Sequence, residues 1–160
     1  MSTTMTPTTA ATVVSGSEEI RAQAGADLGA SGWVEVTQER VDTFADATGD
    51  HQWIHVDPVR AAAGPFGRTI AHGYLTLSLV VPLFGELLEF QGGSMTLNYG
   101  LNKVRFPAPV PVGSRIRLRG HVLAVTELPG AAELIIDLTV EIEGSAKPAC
   151  VAQAVYRHIY

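Results

Sequence analysis

HGYLTLSLVVPLFGELLEF, residues 72–90, is apolar on nearly every side. A helix with that pattern buries most of its surface, either in a protein core or in a bilayer. Ser78, Pro82, Gly85, Glu86 and Glu89 interrupt the run and favour a core helix. Pro82 removes one backbone hydrogen bond and predicts a bend. Downstream the period changes to two. Residues 95–106, 115–127, 134–143 and 150–159 each alternate as strands do. Pro107, Pro109, Pro111 and Gly113 separate the first two strands. Leu128-Pro129-Gly130 and Gly144-Ser145 supply hairpin turns. One long buried helix followed by an antiparallel sheet is an α+β layout. No internal repeat is visible.

Upstream, residues 18–28 have helix-forming composition, ended by Gly29, and 33–36 alternate as a short strand. Thr37 is placed to cap a helix whose first turn contains Glu39. Val41, Phe44, Ala45 and Thr48 recur at helical spacing, and Gly49 can end that helix. Asp50 and His55 therefore fall in a loop just past a helix end. Asp57 and Pro58 open a short helix as N-cap and first residue. Gly64-Pro65-Phe66-Gly67 breaks it before residue 72.

Composition narrows the class. At 160 residues, residues 18–160 read as a single domain with room for a real core. Residues 1–17 are rich in Ser and Thr and read as a disordered tail. They lack a basic stretch and a sustained apolar run, so no signal peptide is read and a cytoplasmic place is expected. The net charge of −5 argues against a nucleic-acid surface. Arg105, Arg115, Arg117 and Arg119 cluster, either as a solvated strand face or as a local patch for an anionic cofactor. A lone cysteine, Cys150, excludes an internal disulfide and lies in a strand pattern, as a small core residue does.

The chemistry concentrates between residues 44 and 79. Asp50 precedes His55 by five positions, and a carboxylate and an imidazole held together can share one water and pass its proton. Gly73 follows His72 at the start of the apolar helix, where a backbone N–H can stabilise negative charge on a carbonyl oxygen. His72 is placed to cap that helix or line a pocket. Three histidines near Asp50 raise a metal site, but no HxxxH pair or cysteine supports one.

The words Gly49-Asp50-His51-Gln52-Trp53-Ile54-His55-Val56-Asp57 resemble the hydratase 2 motif of the MaoC-like dehydratase family, which includes (R)-specific enoyl-CoA hydratases. The family pattern has Asn and Pro where this chain has Gln52 and Trp53. The GDHQWIH wording, GPFGRTIAHG, LNYGLNKVRFPAPVPVG and KPACVA are similar to the nodulation protein N-like branch. The resemblance spans roughly residues 31–159.

It implies a hot-dog fold, with the sheet wrapped around the central helix, and pairing of two chains into a homodimer. It implies Asp50, His55 and Gly73 as the catalytic set, with Ser78 helping to position the pair. His72, Asn102 and Arg105 are further candidates for holding substrate, the last two through the pantetheine or phosphates of coenzyme A. The implied reaction is reversible water addition to trans-2-enoyl thioesters, giving (3R)-hydroxyacyl thioesters. No metal or redox cofactor is expected. Coenzyme A or acyl carrier protein enters as part of the substrate. Two alternatives stand beside it: a non-catalytic module that binds acyl thioesters, and a dehydratase for a specialised polyketide or sterol-derived chain.

Overall fold

The computed structural model describes residues 10–160. Its frame is a six-stranded antiparallel sheet laid against one helix. The helix, α5 (Gly73–Gly85), carries Leu75, Val80, Leu83 and Phe84 into the core. Four long strands build most of the sheet: β5 (Met95–Arg105), β6 (Arg115–Leu128), β7 (Ala131–Ile142) and β8 (Cys150–Ile159). Two short ones, β2 (Asp27–Ala30) and β3 (Val34–Glu35), add to β6. The order is β2-β6-β7-β8-β5, so β5 is an edge within this chain.

Period two decides which residues face α5. In β7, Leu134, Ile136, Leu138, Val140 and Ile142 are buried, whereas Glu133, Asp137 and Glu141 between them are not. Strand β8 contributes Cys150, Ala152, Ala154 and Tyr156 from the same side. The Tyr156 ring stacks on Phe84 at 4.8 Å between centroids. The Tyr156 hydroxyl is pushed up to about 12 and the Cys150 thiol up to about 11, both by burial, so each stays protonated.

The opposite face carries the arginines. Arg117 and Arg119 both pair with Glu141, at 2.6 and 2.9 Å, and Arg115 pairs with Glu143. They make up a paired, solvated strand face. Arg105 bonds the Val104 carbonyl at 2.7 Å instead.

Three expectations need correction. Thr12–Ser15 form strand β1, parallel to β4 (Leu88–Gln91), so this part of the expected tail is ordered and buries Val14. Residues 1–9 lie outside the described residues. The central helix ends at Gly85, not at residue 90. Leu88 and its neighbours gain backbone partners from β1, which a helix ending in glycine cannot offset. The helix expected over 18–28 is α1 (Gly16–Arg21) only, because Leu28 pairs into the sheet within β2.

Three helices lead through the site. Helix α2 (Gln38–Thr48) is capped by Thr37, whose hydroxyl accepts from the Arg40 N–H at 3.2 Å. It ends at Gly49, which takes φ 79°, a left-handed turn that glycine adopts without a Cβ penalty. After it come the single turn α3 (Trp53–Val56) and then α4 (Pro58–Ala62), with Asp57 accepting from the Arg60 N–H at 2.9 Å. No described helix is long and apolar enough to cross a membrane.

Candidate active site

Asp50 follows directly on the left-handed turn at Gly49. Its carboxylate is about half exposed and stays free of basic partners at hydrogen-bond distance. His55, expected in a loop, lies instead in the single helical turn α3 and is 6% exposed. Its Nδ1 is 2.7 Å from the carbonyl of Ile70. A carbonyl only accepts, so Nδ1 must carry the proton. The bare lone pair of Nε2 is then left for other work, as in a proton acceptor. Burial lowers the His55 pKa below its ordinary 6.5, and neighbouring His72 adds to that, against the Ile70 carbonyl and Asp50, which raise it.

His72 caps the N-terminus of α5 without a side-chain cap bond. Its ring stacks on His55 with centroids 3.9 Å apart. Its Nε2 lies 2.9 Å from the backbone carbonyl of Asp50, so it donates there and holds that loop against the helix start. The other nitrogen, Nδ1, is buried without a partner. Asp50, His55 and His72 each offer a ligating atom, all within 4.8 Å of one another. The donor types of these three residues could hold a metal ion. The sequence raised a histidine cluster near Asp50, and the fold selects His55 and His72 from it, with His51 turned to Asp46.

These groups line a cleft of roughly 430 Å³. Gly73, Phe44, Thr48, Tyr74 and Phe106 complete its walls. Gly73 is the first residue of α5, so its N–H has no carbonyl four residues back within the helix. A Cβ there would meet the Phe106 ring at 3.2 Å, tighter than most real contacts. Glycine therefore keeps the cleft open beside the positive end of the helix. Phe44, Tyr74 and Phe106 escaped the sequence reading. Phe44 sits one helical turn before Thr48, a spacing that could have placed both on one wall.

The remaining candidates lie elsewhere. Ser78 is exposed on α5, and its hydroxyl donates to the Tyr74 carbonyl at 2.7 Å. Six residues along a helix carry it about 9 Å from His72 and round to another side. It borders a separate apolar cleft of roughly 280 Å³ with Leu77, Val81, Gly100, Leu101 and Ala154. Asn102 bonds Gln153 at 2.9 Å, on the side of the sheet away from α5. Arg105 is exposed on β5. Within one chain, none of the three meets Asp50. His51 pairs with Asp46 at 2.9 Å in solvent.

Comparison with known proteins gives a consistent set. A family model described as "MaoC like domain" matches residues 19–136. The chain is 56% identical over 142 residues to 3-hydroxyacyl-thioester dehydratase Z of Mycobacterium tuberculosis, covering 88% of this chain and 94% of that protein. It is 48% identical over 138 residues to nodulation protein N of Rhizobium leguminosarum, covering 84% and 85%. Among solved structures, the (R)-hydratase of A. caviae involved in PHA biosynthesis superposes with a TM-score of 0.66 at 28% identity, covering 83% of this chain and 94% of that one.

Proposed function

The chain belongs to the MaoC-like dehydratase family, with its hot-dog fold, and on that basis we propose that the Asp50–His55 cleft interconverts trans-2-enoyl and (3R)-3-hydroxyacyl thioesters. The enzyme is a hydro-lyase. One observation carries the assignment of residues. The Ile70 carbonyl fixes the proton of His55 on Nδ1, which leaves Nε2 as an acceptor in the cleft that holds Asp50 and the N–H end of α5.

In hydration, Asp50 and His55 hold one water, and His55 Nε2 takes a proton from it as its oxygen bonds to C3. The C2=C3 electron pair moves toward the thioester carbonyl, and the Gly73 N–H donates to the oxygen as it gains charge. The Asp50–His55 pair then delivers a proton to C2, and the enolate collapses to the 3-hydroxyacyl thioester. Dehydration runs the same steps backwards. Every proton that leaves water is returned or bound, so no redox group is required.

Coenzyme A or acyl carrier protein is the thioester carrier. The cytoplasm, where such thioesters are made and used, is the compartment this substrate class implies. The working form is a homodimer with substrate beside the interface. What supports it is β5, an unpaired edge bearing exposed Met95, Leu97, Tyr99 and Leu101.

Dehydration of the two enantiomers of 3-hydroxybutyryl-CoA tests the assignment. Conjugated-thioester absorbance should grow from the (3R) form and not from the (3S) form. Equal rates from both, or none from either, would refute it.

A further inference from the structure

Away from the cleft, one side-chain cluster connects three segments through a single carboxamide. Gln38, the first residue of α2, donates from Nε2 to the backbone carbonyl of His55 at 2.8 Å and to Asp42 Oδ1 at 2.8 Å. Its Oε1 accepts from the hydroxyl of Thr69 at 2.6 Å. The orientation of the amide follows from chemistry. A carbonyl and a carboxylate can only accept, so the NH₂ must face them and the oxygen must face Thr69.

Thr69 is 4% exposed and precedes Ile70, the residue whose carbonyl takes the His55 Nδ1 proton. The Ile70 N–H donates to the Ile54 carbonyl at 3.0 Å. The segment is itself fixed, because the Val112 N–H donates to the Thr69 carbonyl at 2.9 Å and the Ala71 N–H to the Val110 carbonyl at 2.8 Å. The bonds therefore close a ring: His55 backbone, Gln38 side chain, Thr69 hydroxyl, Ile70 carbonyl, His55 imidazole. Both the backbone and the ring of His55 are held by it, and neither Gln38 nor Thr69 lines the cleft.

We propose that Gln38 and Thr69 form a positioning clamp for the proton-accepting histidine, Gln38 holding its backbone and Thr69 holding Gln38. The clamp rests on the assignment of His55 given above. It touches no substrate, so it acts on the rate of the bound complex rather than on binding. A small misplacement of a reacting group costs up to about 100-fold in rate. A clamp that secures such a group is worth a comparable factor.

The test is steady-state hydration of crotonyl-CoA by Gln38→Ala, Thr69→Val and Thr69→Ser, with His55→Gln as the control and melting temperature recorded for each. Gln38→Ala should lower kcat by about 10- to 100-fold with KM changed by less than about twofold, the pattern of a lost transition-state alignment. Thr69→Val keeps the volume of the side chain and loses the hydroxyl, and should show the same split. Thr69→Ser keeps the hydroxyl and should restore kcat. A general loss of structure would not distinguish Ser from Val in kcat while sparing KM.

The clamp is overturned if Gln38→Ala keeps its kcat, if KM alone rises, or if Ser and Val behave alike. Should His55→Gln remain fully active as well, the assignment of His55 fails with it. Should His55→Gln be inactive while Gln38→Ala is normal, only the clamp fails.

Discussion

His55 does two things with one ring: it gives Nδ1–H to Ile70 and keeps Nε2 free. The ring must be neutral to accept a proton, and burial holds its pKa below the ordinary 6.5. The acid limb of kcat/KM should therefore lie below pH 6.5, measured as a pH–rate profile; a limb above that value would contradict a buried, neutral base. The same shift has a stability sign. The unfolded imidazole binds its proton at the ordinary value and the folded one resists, so this contribution is complete above pH 6.5 and is lost as pH falls through the lowered folded value. Neighbouring His72 raises a second prediction. Asp50, His55 and His72 form a metal-like triad, yet the proposed steps use only protons. Activity should survive exhaustive treatment with EDTA, and zinc-dependent recovery after such treatment would overturn the water-activation scheme. The Asp50–His55 pair and Gly73 were legible because their residue types fall at motif spacing. Phe106 was not, since it lies just past the end of β5, 33 residues beyond Gly73, and meets Gly73 only in the folded chain.

Among elements, strand alternation was the most readable signal, because one face must be buried and its period is fixed. Strands β5 to β8 lie within a few residues of their expected bounds. Strand β4 was hidden because its partner β1 lies in a stretch that composition alone reads as a tail. A pairing across 76 residues, Thr12 with Leu88, leaves no local pattern. The two faces of the sheet should respond differently to mutation. Ile136→Ala removes a fully buried side chain and should cost about 2–5 kcal/mol in urea unfolding. Glu141→Gln breaks ion pairs that solvent already screens and should cost no more than about 1 kcal/mol. Equal costs would mean that the outer ion pairs, not the α5-facing layer, hold the sheet.

For the whole molecule, what stays open is the edge at β5. Ser78, Asn102 and Arg105 were expected near substrate, and within one chain none of them lines the Asp50–His55 cleft. Helical spacing already turns Ser78 to another side of α5 from His72, but spacing could not report the sheet side of Asn102 and Arg105 across a bulged strand. The exposed apolar edge calls for a second copy, so sedimentation should give about twice 17.0 kDa, and Leu97→Lys should shift the mass toward one chain. A single-chain mass at full activity would refute the dimer and leave the Asp50–His55 assignment standing, since that pair lies within one chain. The most direct measurement is the conjugated-thioester absorbance of crotonyl-CoA followed with the unaltered protein, Asp50→Asn and His55→Gln. The unaltered protein should consume it, and each variant, still folded, should turn over about 10²- to 10⁴-fold more slowly. Consumption at near-normal kcat by either variant would contradict the claim that these two residues move the proton.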